Sequence, residues 1–222
     1  TESHADAVGS VSEASFTFSH NPVGTPKGVL VYTFTIGTAT EHATAVTYGG
    51  ASLVAVTAGS AADTATEAGR TTAWTLGTSV PATDPADVVV TRTNDTVVMY
   101  AACATVTAGA DTSYAGVVLE QENQAITEQA VDDGSPGTNS VRFAGIYYGG
   151  AAQPTVGANS TYFASFLTPA TPVRGCHALY ETTAGQGSRS VGATAGSDDL
   201  AAVYLAITEV AGASPITMSV GH

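Results

Sequence analysis

Thr44-Ala45-Val46-Thr47-Tyr48-Gly49-Gly50-Ala51-Ser52-Leu53-Val54-Ala55-Val56 holds two short runs of β-branched, aromatic and aliphatic residues that meet across a pair of glycines. Both central positions of a type I′ turn need positive φ, which glycine adopts without steric cost, so the stretch reads as a two-residue β-hairpin. Its register follows: Tyr48 faces Ala51, Val46 faces Leu53, and Thr47 and Ser52 share the opposite face. Tyr48, Gly49 and Gly50 are therefore candidate structural residues.

The same reading extends in both directions. Residues 14–20 alternate, with Phe16 and Phe18 on one face and Ser15, Thr17 and Ser19 on the other. Asn21-Pro22-Val23-Gly24-Thr25-Pro26-Lys27-Gly28 is turn chemistry, and residues 29–36 make a second strand. Residues 58–69 read as a Gly/Ala/Thr/Asp loop, after which 70–76 resume the sheet with Trp74 as a core anchor. A turn at 81–85 precedes a strand at 87–92.

Thr93-Asn94-Asp95 then turns the chain into 96–106, which is apolar on both faces: Val97, Met99, Ala101 and Cys103 on one, Val98, Tyr100, Ala102 and Ala104 on the other. Such a strand belongs inside a sheet with both faces covered. Later strands are expected at 115–120, 141–148, 161–167, 176–182 and 200–209. The last is also apolar on both faces, so the core closes only when it is in place. Residues 120–131 are compatible with a helix, but 126–131 alternate equally well as an edge strand, and Asp132-Asp133-Gly134 ends either. The expectation is an all-β chain: an antiparallel β-sandwich, jelly-roll-like, as one domain over 14–210. Residues 1–13 form a polar arm, ordered only where something holds it, and 211–222 form an extended tail.

Val46-Thr47-Tyr48-Gly49-Gly50-Ala51 is echoed by Gly145-Ile146-Tyr147-Tyr148-Gly149-Gly150-Ala151. Either the chain is duplicated or a good hairpin turn recurs; the flanks diverge and Pro154 interrupts the second copy, which favours recurrence.

Only 11% of the 222 residues are charged, with a single lysine, Lys27. An average soluble domain carries about 25% charged residues, so Thr, Ser, Ala and Gly must make up much of this surface. Covering such a surface with another protein avoids the desolvation of buried charge, which costs several kcal/mol per ion. The net charge of −13 with scattered arginines argues against nucleic acid, because phosphate binding needs clustered cations. The same acidity also suits a saline habitat or a GC-rich genome.

No apolar run approaches the roughly 20 residues of a membrane span. Thr1-Glu2-Ser3-His4-Ala5-Asp6 is polar and acidic, unlike a signal peptide. If Thr1 follows a removed initiator Met, the expectation is synthesis and retention in the cytoplasm; a cleaved leader would leave secretion open. Cys103 and Cys176 allow one bridge, or two buried thiols packing as small hydrophobes; cytoplasmic synthesis favours the thiols.

Sites for chemistry are sparse. There is no Gly-x-Ser-x-Gly, and His4, His20, His42, His177 and His222 have no motif around them, so each reads as a surface or satisfied histidine. Asp132-Asp133 and Asp198-Asp199 lack the spaced carboxylates of a calcium loop and read as solvated turns. Asn94-Asp95-Thr96 and Asn159-Ser160-Thr161 match glycosylation sequons, which occur often by chance. Tyr147, Tyr148, Tyr162 and Phe163 could stack on a sugar, but alternation splits them between core and surface. No catalytic residue, cofactor or metal is assigned, and the chain reads as non-enzymatic.

His20-Asn21-Pro22-Val23-Gly24-Thr25, then Val46-Thr47-Tyr48-Gly49-Gly50-Ala51-Ser52-Leu53, Trp74-Thr75-Leu76 and the Pro81 turn before Val88-Val89-Val90-Thr91 follow one another in an order that resembles a family of β-sandwich domains of tailed-phage virion proteins and bacterial surface proteins. Thr78-Ser79-Val80-Pro81-Ala82-Thr83 stands where that family more often has a Pro-Gly pair. The resemblance implies a structural virion protein made in the host cytoplasm, a capsid decoration or cement protein and homo-oligomer whose partners are the major capsid protein or other virion proteins. The alternative it implies is an adhesin or glycan-binding module of a head fibre, tail or cell envelope, at the cell surface. In an assembly the tail Ser214-Pro215-Ile216-Thr217-Met218-Ser219-Val220 is expected to lie along a neighbour's sheet edge, with Ile216, Met218 and Val220 filling one row of pockets.

Overall fold

The computed structural model describes residues 2–5, 14–38, 40–63, 68–93, 98–106, 115–132, 140–168, 173–183, 185 and 187–208. Over these residues the chain is all-β, without helix. The strands of the first half are β1 (Glu2–Ala5), β2 (Ser15–His20), β3 (Gly28–Ile36), β4 (Ala43–Tyr48), β5 (Ala51–Ser52), β6 (Val54–Asp63), β7 (Gly69–Leu76), β8 (Ala86–Arg92) and β9 (Val98–Val106). Those of the second half are β10 (Ala115–Ala125), β11 (Gln129–Val131), β12 (Ser140–Tyr148), β13 (Thr155–Val156), β14 (Ser160–Leu167), β15 (Gly175–Glu181), β16 (Arg189–Val191), β17 (Ala193–Thr194) and β18 (Ser197–Thr208). All named pairings are antiparallel.

The sandwich of two large sheets is extended by a small outer layer on each side. A central sheet runs β1-β9-β3-β7-β6, a small sheet β2-β8-β4-β5 covers one of its faces, and a second large sheet β10-β18-β12-β15-β14 covers the other. Leu30, Tyr32, Phe34 and Tyr100 of the central sheet meet Phe143, Phe166, Val203 and Leu205 of the second large sheet. On its other face Val31, Trp74, Met99 and Cys103 meet Phe16, Phe18, Val46 and Val88. The outer face of the second large sheet is capped by the ribbons β11-β16 and β13-β17, through Ile126, Val131, Val191 and Ala193. Strands covered on both faces need apolar residues at consecutive positions, which is why β9 and β18 lack a polar face.

The two halves repeat one arrangement. Matching β1, β9, β3, β7 and β6 with β10, β18, β12, β15 and β14 reproduces the strand order of one large sheet from the other. The outer layers match as well: β2 pairs β8 and β8 pairs β4, while β11 pairs β16 and β17 pairs β13. The two large sheets pack face to face, each with its small layer outside.

This repeat is not the one the sequence echo marks. Tyr48 ends β4 in a small outer sheet and leads into a hairpin, whereas Tyr148 ends β12 in a large sheet and Gly149 donates its N–H to the Asp199 carbonyl at 2.9 Å. The strand that corresponds to β4 is β13, which shares no motif with it.

The loop expected at 58–69 is also revised. Residues 58–63 continue β6, which pairs β7 at Val54 and Ala55, loses register, and pairs again from Ser60 to Asp63. Ala, Gly and Ser carry little strand propensity of their own, and the neighbouring strand imposes the extended form. Within the expected arm, Glu2–Ala5 is held as an edge strand by β9.

Candidate functional site

The hairpin has the expected register, Tyr48 opposite Ala51 and Thr47 opposite Ser52, with the Leu53 N–H donating to the Val46 carbonyl at 2.9 Å. Gly49 and Gly50 have φ of 53° and 84°. Trp74 is buried and donates its indole N–H to Thr33 Oγ1 at 3.1 Å. Cys103 and Cys176 are free, and they lie in different interfaces: Cys103 against the small sheet, Cys176 between the large ones. Burial raises both thiol pKa values, which makes them inert packing groups rather than nucleophiles. Ile216, Met218 and Val220 lie outside the described residues.

Among the described residues, His20 and His177 are fully buried. His20 at the end of β2 shares a hydrogen bond with Thr105 Oγ1 at 3.1 Å and sits edge-on to Tyr48, and burial pushes its pKa down to about 4. His177 on β15 has Nδ1 3.0 Å from Ser165 Oγ, which also accepts a bond from Gln153 Nε2 at 3.0 Å. Among the described residues its Nε2 has no partner; it faces the Gly175 backbone, and burial lowers its pKa to about 4 as well.

A Ser–His pair is thus present, but among the described residues no carboxylate orients the imidazole from Nε2. An imidazole that weak is a poor base for a serine hydroxyl. The Gln153–Ser165–His177 chain ties the connection after β12 to β14 and β15.

Spacing did not single out a buried ionic cluster around Arg142. Arg142, fully buried in β12, places Nη1 3.3 Å from Glu181 Oε2. It donates to the carbonyls of Val131 at 3.3 Å and Ser140 at 3.1 Å, and to those of Gly185 and Gly187. Arg189 grips the other oxygen of Glu181. This cluster holds Gly185 and Gly187 against β12, and Arg189 of β16 against Glu181 of β15. The one sequence sign of it is an arginine inside the apolar run Val141–Tyr148, where only a fully satisfied guanidinium is tolerated.

The aromatic platform does not form. Tyr147, Tyr148 and Phe163 are buried, and half-buried Tyr162 commits its hydroxyl to the Pro154 carbonyl at 2.6 Å. The large apolar side chains that do reach solvent among the described residues are Val23, Val54, Val156 and Leu167. Val54 is 70% exposed on β6, and Leu167 is 45% exposed on β14. These two strands are matching edges of the large sheets. A groove of about 370 Å³ opens beside Val54, Val56, Leu76 and Thr78. A second, of about 400 Å³, shares Ala55 and Val56 and continues past Thr44, Thr72 and Trp74.

No family model, curated protein or solved structure matches the chain.

Proposed function

We propose that the chain is a non-enzymatic structural protein of a tailed-phage virion, a capsid decoration or cement protein that bridges neighbouring capsid subunits. One observation carries this reading: among the described residues His20, His177, Cys103, Cys176 and the Arg142–Glu181 pair are turned inward, while the exposed valine and leucine of the two large sheets stand on their edge strands. Buried neutral histidines, inert thiols and a closed arginine cluster build a rigid block. Neutral edges on that block give it places to adhere, because burying methyl and hydroxyl groups avoids the cost of desolvating charge. The motif order quoted above adds the virion context, and homo-oligomeric contacts alongside capsid contacts fit the same surface.

The glycan-binding alternative loses ground because the tyrosines and phenylalanine that would stack on a sugar are spent inside the fold.

Labelling this chain on source particles, imaged in negative stain, tests the proposal. Label spread over the capsid supports it. Label confined to fibres, tail or cell envelope moves the chain to the adhesin reading, and absence from particles overturns both virion roles.

A further inference from the structure

We infer that Glu128, Ser160 and Tyr204 form a site for a monovalent cation beneath the two outer ribbons of the second half. The inference is independent of the virion reading. The site involves neither Val54 nor Leu167: Ser160 begins β14, and Leu167 stands at its other end.

Gly192 is the pivot of the site. Gln129 pairs with Val191 in one ribbon and Val156 pairs with Ala193 in the other, so the backbone at Gly192 passes between Glu128 and Gly157. The Gly192 carbonyl accepts the Gly157 N–H at 3.0 Å, and its own N–H donates to Ser160 Oγ at 3.0 Å. A Cβ on Gly192 would lie 3.6 Å from Glu128 Cα and 3.8 Å from Tyr204 Oη. The Glu128 carboxyl fills the space that a side chain on Gly157 would take. Three oxygen-bearing side chains thus meet around one glycine, from the link between β10 and β11, from the start of β14 and from the capped outer face of β18.

Two of these oxygens are left over. Tyr204 is fully buried, and among the described residues neither its hydroxyl nor Glu128 Oε1, also shielded from water, has a hydrogen-bond partner. Burial raises the Tyr204 pKa, so the hydroxyl stays neutral. Ser160 Oγ keeps a second lone pair after accepting from Gly192. A carboxylate oxygen taken out of water calls for a cation, either a paired side chain or a bound ion. Among the described residues no lysine or arginine pairs with Glu128, and Arg142 and Arg189 of the neighbouring cluster are committed to Glu181.

The charge of the ion follows from its ligands. One carboxylate and two neutral hydroxyls balance a single positive charge, whereas calcium draws on about six to eight oxygens and binds more tightly as carboxylates are added. Among the described residues no three His, Cys, Asp or Glu side chains gather to hold a divalent metal. The net charge of −13 also concentrates small cations around the chain.

The test melts the full chain in sodium, potassium and choline chloride at equal ionic strength. Choline, a bulky quaternary ammonium, screens charge without supplying a small ion. Sodium or potassium should raise the melting temperature over choline by about 2–4 °C. Glu128→Gln and Tyr204→Phe should each lose most of that difference, whereas Asp87→Asn, at an exposed carboxylate on β8, should keep it. Equal melting in the three salts, or a difference that survives in either site variant, overturns the proposal. A second measurement needs only the parent: crystals grown with thallium(I) should show an anomalous peak in contact with the Glu128 carboxyl and the Tyr204 hydroxyl. A water at that position, or no peak there, counts against the site. Neither readout involves a particle, so failure here leaves the virion reading untouched, and the reverse.

Discussion

The ring of Tyr32 occupies the place where a side chain on Gly145 would begin: a Cβ there would lie 2.4 Å from Tyr32 Cδ1. The opposite large sheet returns the contact, with Tyr147 set over Gly69 at the same 2.4 Å. Two tyrosines from two sheets each lie on a glycine of the other, so the halves interlock at these two contacts. Gly145→Ala and Gly69→Ala should each cost about 1–3 kcal/mol through overpacking. For a chain of this size that lowers the melting temperature by several degrees. Gly196→Ala, with open space around it and ordinary φ, should melt with the parent. A Gly145→Ala protein that also melts with the parent would show that the interlock is slack.

The hairpin glycines should separate into two different costs. A Cβ on Gly49 would stand 2.8 Å from Thr83 Oγ1 and 2.9 Å from Pro81 Cβ, whereas one on Gly50 meets nothing within 4 Å. Gly49→Val combines a clash with a disfavoured φ and should cost a few kcal/mol. Gly50→Asn should be nearly silent, because asparagine tolerates the left-handed region. Equal losses in the two variants, read from urea midpoints, would mean that conformation alone decides and that the 81–83 loop moves aside.

The hairpin was legible because its turn is local chemistry: two glycines, flanked by β-branched residues, leave one solution. The double-sided apolarity of β9 and β18 was legible for a similar reason, since consecutive apolar residues in a strand require cover on both faces. The duplicated arrangement was hidden. It resides in which strands pair, and positions such as β4 and β13 can match in topology while sharing no residues. β6 was missed beyond residue 57 because Ala, Gly and Ser there have no alternation to read. Arg142 was missed because an arginine in a strand reads as surface until Glu181 and the carbonyls around it are brought together.

Arg142 and Glu181 should behave as one unit. Arg142→Met leaves a buried carboxylate with only Arg189 beside it, and breaking a buried pair from one side costs about 3–5 kcal/mol. Removing both charges together, as Arg142→Met with Glu181→Met, should cost clearly less than the sum of the single changes, because no uncompensated ion is left. Additive losses in a double-mutant cycle would show that the pair is not coupled and that the carbonyl bonds alone hold Arg142.

Stability should fall on mild acidification, and the two buried histidines give the direction. Burial lowers the folded-state pKa of His20 and of His177 from 6.5 to about 4, so the unfolded chain binds protons that the folded chain refuses. Where the unfolded state binds more protons, stability drops as pH drops. The contribution is therefore intact above pH 6.5 and is lost progressively down to about pH 4. The shifts correspond to roughly 3 kcal/mol for each histidine over that window. His177→Gln and His20→Asn remove one titrating group each. Either variant is expected to start less stable at pH 7.5 but to lose less on acidification to pH 5 than the parent, measured by urea unfolding at each pH. Imidazole proton resonances in the folded parent should still report neutral rings at pH 5. A titration midpoint near 6.5 for either residue would show that its ring reaches water and would remove it from this account.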